Sequence, residues 1–215
     1  MIELFGHPFS SYTWKVLIAL HENATPFVFR SLEEPDNAAA LARYWAPAKF
    51  PLLVDDGRPV MESTVIIEWL QLRHPGPVRL IPADPDAALE VRMLDRVFDN
   101  HVMANMQRVV SDALRPSERR DPVETEAAKA ALTVIYGWLD AWLVGRRWAV
   151  GDFSLADCAA APALFYADWV QPIGDEHARL QDYRARLLAR PAVARCVEGA
   201  RPFRGYFPLG APDRD

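Results

Sequence analysis

Residues 4–12 read Leu-Phe-Gly-His-Pro-Phe-Ser-Ser-Tyr, a short apolar run, a Gly-His-Pro turn and two serines. The apolar run over residues 2–5 predicts a strand, because Gly and Pro stop it. From Ser11 to Asn23 apolar residues recur three and four positions apart, which predicts a helix. The serines therefore lie between a strand and a helix, where unpaired helix N–H groups favour an anion.

Each serine can act as a helix N-cap or as a hydrogen-bond donor to a bound anion. Ser and Thr are common N-cap residues, so capping alone explains one of them. Helical spacing already holds from Tyr12 onward, which favours Ser11 as the N-cap. The Ser10 hydroxyl is then free to donate a hydrogen bond to a bound anion.

The chain up to about residue 76 alternates short strands with helices. Further apolar runs predict strands at residues 27–29, 52–54 and 59–61. Helical spacing holds over residues 38–45 and 63–73. The resulting order β-α-β-α-β-β-α predicts an α/β first domain, residues 1–76.

The rest of the chain has no convincing strand pattern. Residues 77–84 contain two prolines and predict a linker, and residues 85–215 predict an all-helical domain. Helical patterns cover residues 87–114, 123–143, 154–170, 175–189 and 192–200. The segment from Arg201 to Asp215 is rich in Pro, Gly and Phe, which predicts an extended tail.

Two short motifs in the first domain suit an amino-acid-like ligand. A proline that starts a strand, as Pro51 does, is usually trans, but a cis bond there leaves the Phe50 backbone free for a peptide. Glu62 and Ser63 start a helix, where capping explains either Ser63 or Thr64. Alternatively, the Glu62 carboxylate receives an amino group while Ser63 and the helix N–H groups hold a carboxylate.

A structural motif lies in the second domain, where residues 151–157 read Gly-Asp-Phe-Ser-Leu-Ala-Asp. Ser154 and Asp157 have the spacing of a capping box, and Phe153 and Cys158 that of a hydrophobic staple. This motif predicts the start of a buried helix and no catalyst.

Taken in this order and spacing, the motifs resemble the cytosolic glutathione transferase superfamily over essentially the whole chain. Residues 5–10 resemble the start of its phi class, and residues 10–16 fit the zeta-class loop, with Tyr12 where that class has a cysteine. The resemblance implies a thioredoxin-like first domain that binds glutathione as co-substrate. It also implies a helical second domain that lines the site of the other substrate, and a homodimer. In that dimer Asp95, Asp99 and Asn100, on the long helix predicted over residues 87–114, are candidates to reach the glutathione of the neighbouring subunit.

The resemblance assigns glutathione contacts to five residues. Phe50 precedes the cis proline of the family, Pro51, and its backbone pairs with the cysteinyl part of glutathione. Glu62 and Ser63 match the pair that binds the γ-glutamyl end, and Lys49 lies near the glycyl carboxylate.

The catalytic residue implied by the resemblance is Ser10, which hydrogen-bonds the glutathione sulfur. Tyr12, whose phenol is also a good donor, and Ser11 are the alternatives. Four aromatic residues are candidates for the pocket of an apolar electrophile, although helical aromatics are more often core: Tyr12, Phe165, Trp169 and Phe203.

Composition excludes several other classes. A net charge of −5 argues against nucleic acid as a partner. The longest run without a charged residue, Leu4 to Trp14, is too short for the roughly 18 residues of a membrane span. No signal peptide is visible, so we expect a cytoplasmic protein. Cys158 and Cys196 are expected to be buried and not redox-active, and no His, Cys or carboxylate spacing indicates a metal site.

Three functions remain open at this point. The leading one is a glutathione transferase that attacks a small electrophile. A glutathione-dependent isomerase or reductive dehalogenase would use the same scaffold, and so would a binding or regulatory protein without catalysis. Ser10 together with Glu62 and Ser63 favours retained glutathione binding, but nothing in the sequence separates transferase from isomerase or dehalogenase.

Overall fold

A computed structural model describes the whole chain, residues 1–215. Its first part contains a four-stranded mixed sheet in the order β2-β1-β3-β4. The strands are β1 (Ile2–Gly6), β2 (Val28–Ser31), β3 (Leu52–Asp55) and β4 (Arg58–Met61). The β1 strand is parallel to β2 and antiparallel to β3, and β3 is antiparallel to β4.

Helices cover both faces of this sheet: α1 (Ser11–Glu22), α2 (Pro35–Tyr44) and α3 (Ser63–Arg73). Leu4 pairs with Leu53 across β1 and β3, and both lie in the main core with α1 and α3. Phe5 and Leu52, the next pair, point to the other face and pack with Leu41 of α2. The alternation of side chains along a strand thus gives the sheet two buried faces.

The second part of the chain is helical. Its helices are α4 (Pro85–Val97), α5 (Ala104–Ala113), α6 (Pro122–Trp142), α7 (Leu155–Val170), α8 (Ala178–Leu188) and α9 (Pro191–Ala200). Every residue of α7 except Trp169 is buried, and α7 packs against α1 of the first part. The predicted capping box is confirmed, since the Asp157 carboxylate accepts the Ser154 N–H at 2.9 Å. None of the helices is both long and apolar enough to cross a membrane.

A π-helical segment, Phe98–Met103, interrupts the helix that the sequence predicted as continuous from 87 to 114. Leu94, Phe98, Val102 and Met106 are all buried, in steps of four residues. Each such step turns an α-helix about 40° beyond a full turn. The wider π turn offsets that drift and keeps these side chains on one face.

Two other predictions differ from the structure at element ends. The α2 helix begins at Pro35 and not at residue 38, because proline suits the first helical position. The tail is not extended throughout, because Arg201–Tyr206 forms a 3₁₀ helix that packs against α9.

Candidate functional site

A cavity of about 570 Å³ lies between the first part of the chain and the end of α4. All five residues that the resemblance assigned to glutathione line it: Lys49, Phe50, Pro51, Glu62 and Ser63. Its volume lies within the range of small-molecule sites, about 300–1,000 Å³.

The N-terminus of α3 forms one wall of this cavity. No side chain caps the helix, and its first backbone hydrogen bond runs from Ile66 N to the Glu62 carbonyl at 2.8 Å. The N–H groups of the first turn are therefore unpaired and favour an anion. Glu62 has a φ of 68°, an uncommon value for a residue with a side chain, and it places a carboxylate beside these donors.

Phe50 and Pro51 form the neighbouring wall. The peptide bond between them is cis, as the resemblance implied. The Phe50 N–H and C=O take part in no backbone hydrogen bond. The cavity therefore presents a free backbone donor and acceptor next to the α3 N-terminus.

Ser10 is the N-cap of α1, so the expectation that Ser11 caps this helix is wrong. The Ser10 hydroxyl oxygen accepts the Thr13 N–H at 3.3 Å, and Ser11 is the buried first residue of the helix. The helix begins at Ser11, one residue before its apolar spacing starts, because the Ser10 hydroxyl takes the capping position. A hydroxyl that accepts one bond keeps its proton for donation, so capping does not exclude the proposed contact with sulfur.

Tyr12 lines the cavity, whereas Ser10 is not among the residues of its wall. Burial, and then the negative charge of Asp99, raise the pKa of Tyr12 to about 12. The phenol therefore keeps its proton at neutral pH, which makes Tyr12 a second hydroxyl donor beside Phe50 and Glu62.

A buried charge cluster lies against the cavity wall. Lys15 of α1 is 1% exposed, and its Nζ lies 2.8 Å from Asp99 Oδ2 and 2.9 Å from Thr64 Oγ1. Lys15 also pairs with Asp95, and Arg96 reaches both carboxylates at 2.6 Å. The cluster joins α1, α3, α4 and the π-helical segment. All four line the cavity, through Tyr12, Thr64, Arg96 and Asp99 respectively.

Asp95, Asp99 and Asn100 were candidates to reach the glutathione of a neighbouring subunit. Asp95 is fully buried between Lys15 and Arg96, so that expectation is wrong for Asp95. Asp99 and Asn100 line the cavity of their own chain. Burial raises the pKa of the Asp99 carboxyl, and the Lys15 ammonium opposes that shift.

The four aromatic candidates for the second-substrate pocket do not line one common cavity. Phe165 is 1% exposed and packs between Trp14 and Trp169, so it belongs to the core. Trp169 lines a separate cavity of about 340 Å³. Phe203 packs edge-on against His7, with 4.7 Å between ring centroids. Tyr12 alone lines the cavity beside α3.

Sequence reasoning missed Lys15 and Arg96. A signal was present, because Lys15 lies within an apolar helix pattern and Asp95 and Asp99 are four residues apart on one helix face. The expectation for the cysteines is confirmed as far as burial goes. Cys158 and Cys196 are both buried, and burial raises the pKa of the Cys196 thiol to about 12.

Comparison with known proteins gives consistent matches. The family model described as "Glutathione S-transferase, N-terminal domain" matches residues 4–78, and "Glutathione S-transferase, C-terminal domain" matches residues 100–191. The chain is 29% identical over 206 residues to glutathione S-transferase GstB of Escherichia coli (strain K12), covering 92% of this chain and 98% of that protein.

Two solved structures share the fold. A glutathione S-transferase of Methylobacterium radiotolerans in complex with glutathione sulfonate is 31% identical, with a TM-score of 0.79 and coverage of 91% of this chain and 94% of that one. A glutathione S-transferase of Methylobacillus flagellatus with glutathione bound is 26% identical, with a TM-score of 0.82 and coverage of 91% and 98%.

Proposed function

The chain belongs to the glutathione S-transferase family, and from that premise we propose that it binds glutathione beside α3 and activates its thiol for attack on a small apolar electrophile. One observation carries the proposal. The unpaired Phe50 backbone, the free α3 N-terminus and the Glu62 carboxylate share one cavity. A γ-glutamyl peptide has the complementary groups, namely an amide, a carboxylate and an ammonium.

Each part of glutathione has a partner in this proposal. The γ-glutamyl carboxylate accepts from the α3 N–H groups and the Ser63 hydroxyl, and its ammonium donates to Glu62. The cysteinyl amide pairs with the Phe50 backbone. The glycyl carboxylate pairs with Lys49, which has no carboxylate within 4.0 Å in the structure. Residues 1–76 then hold glutathione, and residues 85–215 contribute to the site of the second substrate.

The chemical step needs a thiolate. A free thiol has a pKa near 8.5 and is mostly protonated at pH 7. We assign Ser10 as the donor to the sulfur, at the positive end of α1. A shift of roughly two units, about 2.7 kcal/mol, makes the thiolate the main form. The thiol proton goes to solvent, and the thiolate electron pair forms a sulfur–carbon bond with the electrophile. The leaving group departs with the electron pair of the bond that breaks, or the ring oxygen keeps that pair in an epoxide, while Ser10 itself stays protonated.

Tyr12 is the alternative donor, because it lines the cavity and keeps its proton. The two assignments predict different results: the pKa of the bound glutathione thiol should change in Ser10→Ala if Ser10 is the donor, and in Tyr12→Phe if Tyr12 is the donor. An isomerase or dehalogenase reaction would use the same glutathione site, so substrate type needs its own test.

We also propose a cytoplasmic homodimer. Support for the dimer comes from exposed apolar side chains on α3 and α4, with Leu72 72% exposed, Leu89 67% and Val65 51%. Such a patch, on helices next to one another, suits burial against a second copy.

Isothermal titration with glutathione tests the binding proposal directly. The control ligand is a γ-glutamyl peptide with alanine in place of cysteine. It should bind within about tenfold of glutathione, because it keeps every contact except the one between Ser10 and the sulfur. A panel of aryl halides, epoxides, α-halo acids and cis-alkene acids then separates transferase, dehalogenase and isomerase activity. No heat of binding from a folded protein at millimolar glutathione would contradict the proposal.

A further inference from the structure

The backbone of Phe9, the residue before Ser10, is held from two sides. Its N–H donates to His7 Nδ1 at 3.0 Å, and its C=O accepts from the Tyr166 hydroxyl of α7 at 2.9 Å. The Ser10 N–H donates to the His7 carbonyl at 3.0 Å. The Phe9–Ser10 peptide is therefore held by the Tyr166 phenol and the His7 carbonyl, and the His7 imidazole holds the Pro8–Phe9 peptide that precedes it.

This arrangement requires one tautomer of His7. Because Nδ1 accepts a hydrogen bond, the ring proton of a neutral imidazole is on Nε2. His7 Nε2 lies 2.8 Å from Glu33 Oε1, so the carboxylate accepts that proton's hydrogen bond and holds the tautomer. The His7 side chain is only 14% exposed, whereas the Glu33 side chain is 43% exposed. The contact with the Phe9 N–H is therefore better shielded from water than the contact with Glu33.

The C-terminal segment completes the surroundings of His7. Phe203 packs edge-on against the imidazole, and the Tyr206 hydroxyl donates to Glu33 Oε2 at 3.1 Å. The hydrogen bond to Glu33 raises the pKa of Tyr206, so its phenol keeps the proton that it donates. Glu33 and Tyr206 are the titratable side chains placed against the ring, from the loop after β2 and from the tail.

We propose that His7 is a positioning residue: its Nδ1 holds the Phe9 N–H, in the peptide just before the one that carries Ser10, so that the Ser10 hydroxyl is aimed at the glutathione sulfur. This inference rests on the proposed function, in which Ser10 donates to that sulfur. Glu33 acts through His7 by fixing its tautomer, and the tail acts through Glu33. Protonation of the ring converts Nδ1 from an acceptor into a donor and breaks the contact with Phe9.

A matched pair of variants distinguishes the role of His7 Nδ1 from that of Nε2. In His7→Asn the amide oxygen takes the place of Nδ1 and keeps an acceptor for Phe9 N–H. In His7→Gln the polar atoms take the place of Nε2, so the Glu33 contact survives and the acceptor is lost. We expect the Asn variant to keep kcat within about threefold of the wild type. The Gln variant should lose about five- to tenfold, the equivalent of one neutral hydrogen bond.

Two readouts distinguish positioning from general destabilisation. The KM for glutathione should change less than about twofold in both variants, because Phe50, Glu62 and Ser63 are untouched. Amide exchange at Phe9, followed by NMR in the ligand-free protein, should accelerate about tenfold in His7→Gln alone. If His7→Gln does not fold, Glu33→Gln takes its place as the test variant, because it leaves the packing of the His7 ring intact. We expect Glu33→Gln to lower kcat about two- to fivefold.

Equal kcat and equal Phe9 exchange in the Asn and Gln variants, whether both are active or both impaired, overturns the inference. Faster exchange of the Phe9 amide in His7→Gln without a loss of kcat also overturns the inference, since the hold on Phe9 would then not affect the reaction rate. The variant Ser10→Ala, measured in the same experiment, tests separately the assumption that Ser10 donates to the glutathione sulfur. If that variant keeps the wild-type rate, the proposed role of Ser10 fails, and the exchange data alone decide whether His7 holds the loop.

Discussion

Lys15 and Asp99 form a buried ion pair, with 2.8 Å between Nζ and Oδ2, that joins α1 to the π-helical segment. Lys15 and Arg96 carry two positive charges, and Asp95 and Asp99 carry two negative charges, so the cluster is balanced. Removal from water makes each charge costly unless it is paired. The cluster thus ties the cavity wall of α3 and α4 to the helix that Ser10 caps.

Loss of the lysine charge should destabilise the fold strongly. Lys15→Met leaves Asp95 and Asp99 facing one arginine, and we expect a loss of about 3–5 kcal/mol in the free energy of unfolding, measured with urea. The double variant Lys15→Met/Asp95→Asn restores balance and should recover much of that loss. Lys129→Met, which removes a surface pair with Glu126, is the control and should cost under about 1 kcal/mol. If Lys15→Met/Asp95→Asn is no more stable than Lys15→Met, charge imbalance is not the cause of the lost stability.

Glu62 should contribute directly to glutathione affinity. Glu62→Ala removes the acceptor of the ligand ammonium and should weaken binding by about 1.5–3 kcal/mol, measured by calorimetry. Glu126→Ala, on the exposed face of α6, is the control for loss of a carboxylate and should not change affinity. Unchanged affinity in folded Glu62→Ala would refute this contact.

Ser10 should set the pKa of the bound thiol. Ser10→Ala is expected to raise that pKa by about one to two units and to cut the rate near neutral pH about 10- to 100-fold. Glutathione affinity should barely change. The measurement is thiolate absorbance against pH for Ser10→Ala, Ser11→Ala and Tyr12→Phe.

Ser10→Ala also removes the N-cap of α1, which should cost about 0.5–2 kcal/mol of stability. Rates are therefore compared well below the melting temperature of each variant. If Tyr12→Phe moves the thiol pKa and Ser10→Ala does not, the donor is Tyr12.

His21 should make the fold sensitive to acid. Burial, and then the positive charge of Arg195, lower the pKa of His21 from 6.5 to about 4. The folded state thus prefers the neutral ring, and this contribution is present above pH 6.5 and is lost as the pH falls towards 4. In thermal melts the wild type should lose stability over that window more steeply than His21→Gln. His101→Gln, at an exposed position, is the control, and parallel curves for all three proteins would count against the assignment.

The assembly should be a dimer held by α3 and α4. Light scattering at micromolar concentration should give twice the chain mass of 24.2 kDa. Leu72→Arg places a charge in the exposed apolar patch and should shift the mass to that of a monomer. Val123→Arg, on α6 and 78% exposed, should leave the dimer intact. A monomer mass for the wild type would rule out the assembly.

Local signals in the sequence determined the order of the elements, and the family resemblance supplied much of the cavity wall. Gly-His-Pro ends β1, Ser154 and Asp157 start α7, and apolar spacing gives α3 with the bounds seen in the structure. Local signals alone favoured a trans proline at Pro51 and a plain helix cap at Ser63, so the ligand contacts at Phe50–Pro51 and Glu62–Ser63 rested on the order and spacing of the motifs. The four residues of these motifs line one cavity together with Lys49.

Only the tertiary structure decided the contacts between distant parts of the chain. Lys15 contacts Asp99, which is 84 positions away in the sequence, and Tyr206 contacts Glu33, which is 173 positions away. Phe165 is core while Trp169 lines a cavity, although both lie on α7. Burial of a charge or an aromatic ring depends on which element packs over it, and periodicity within one helix does not contain that information.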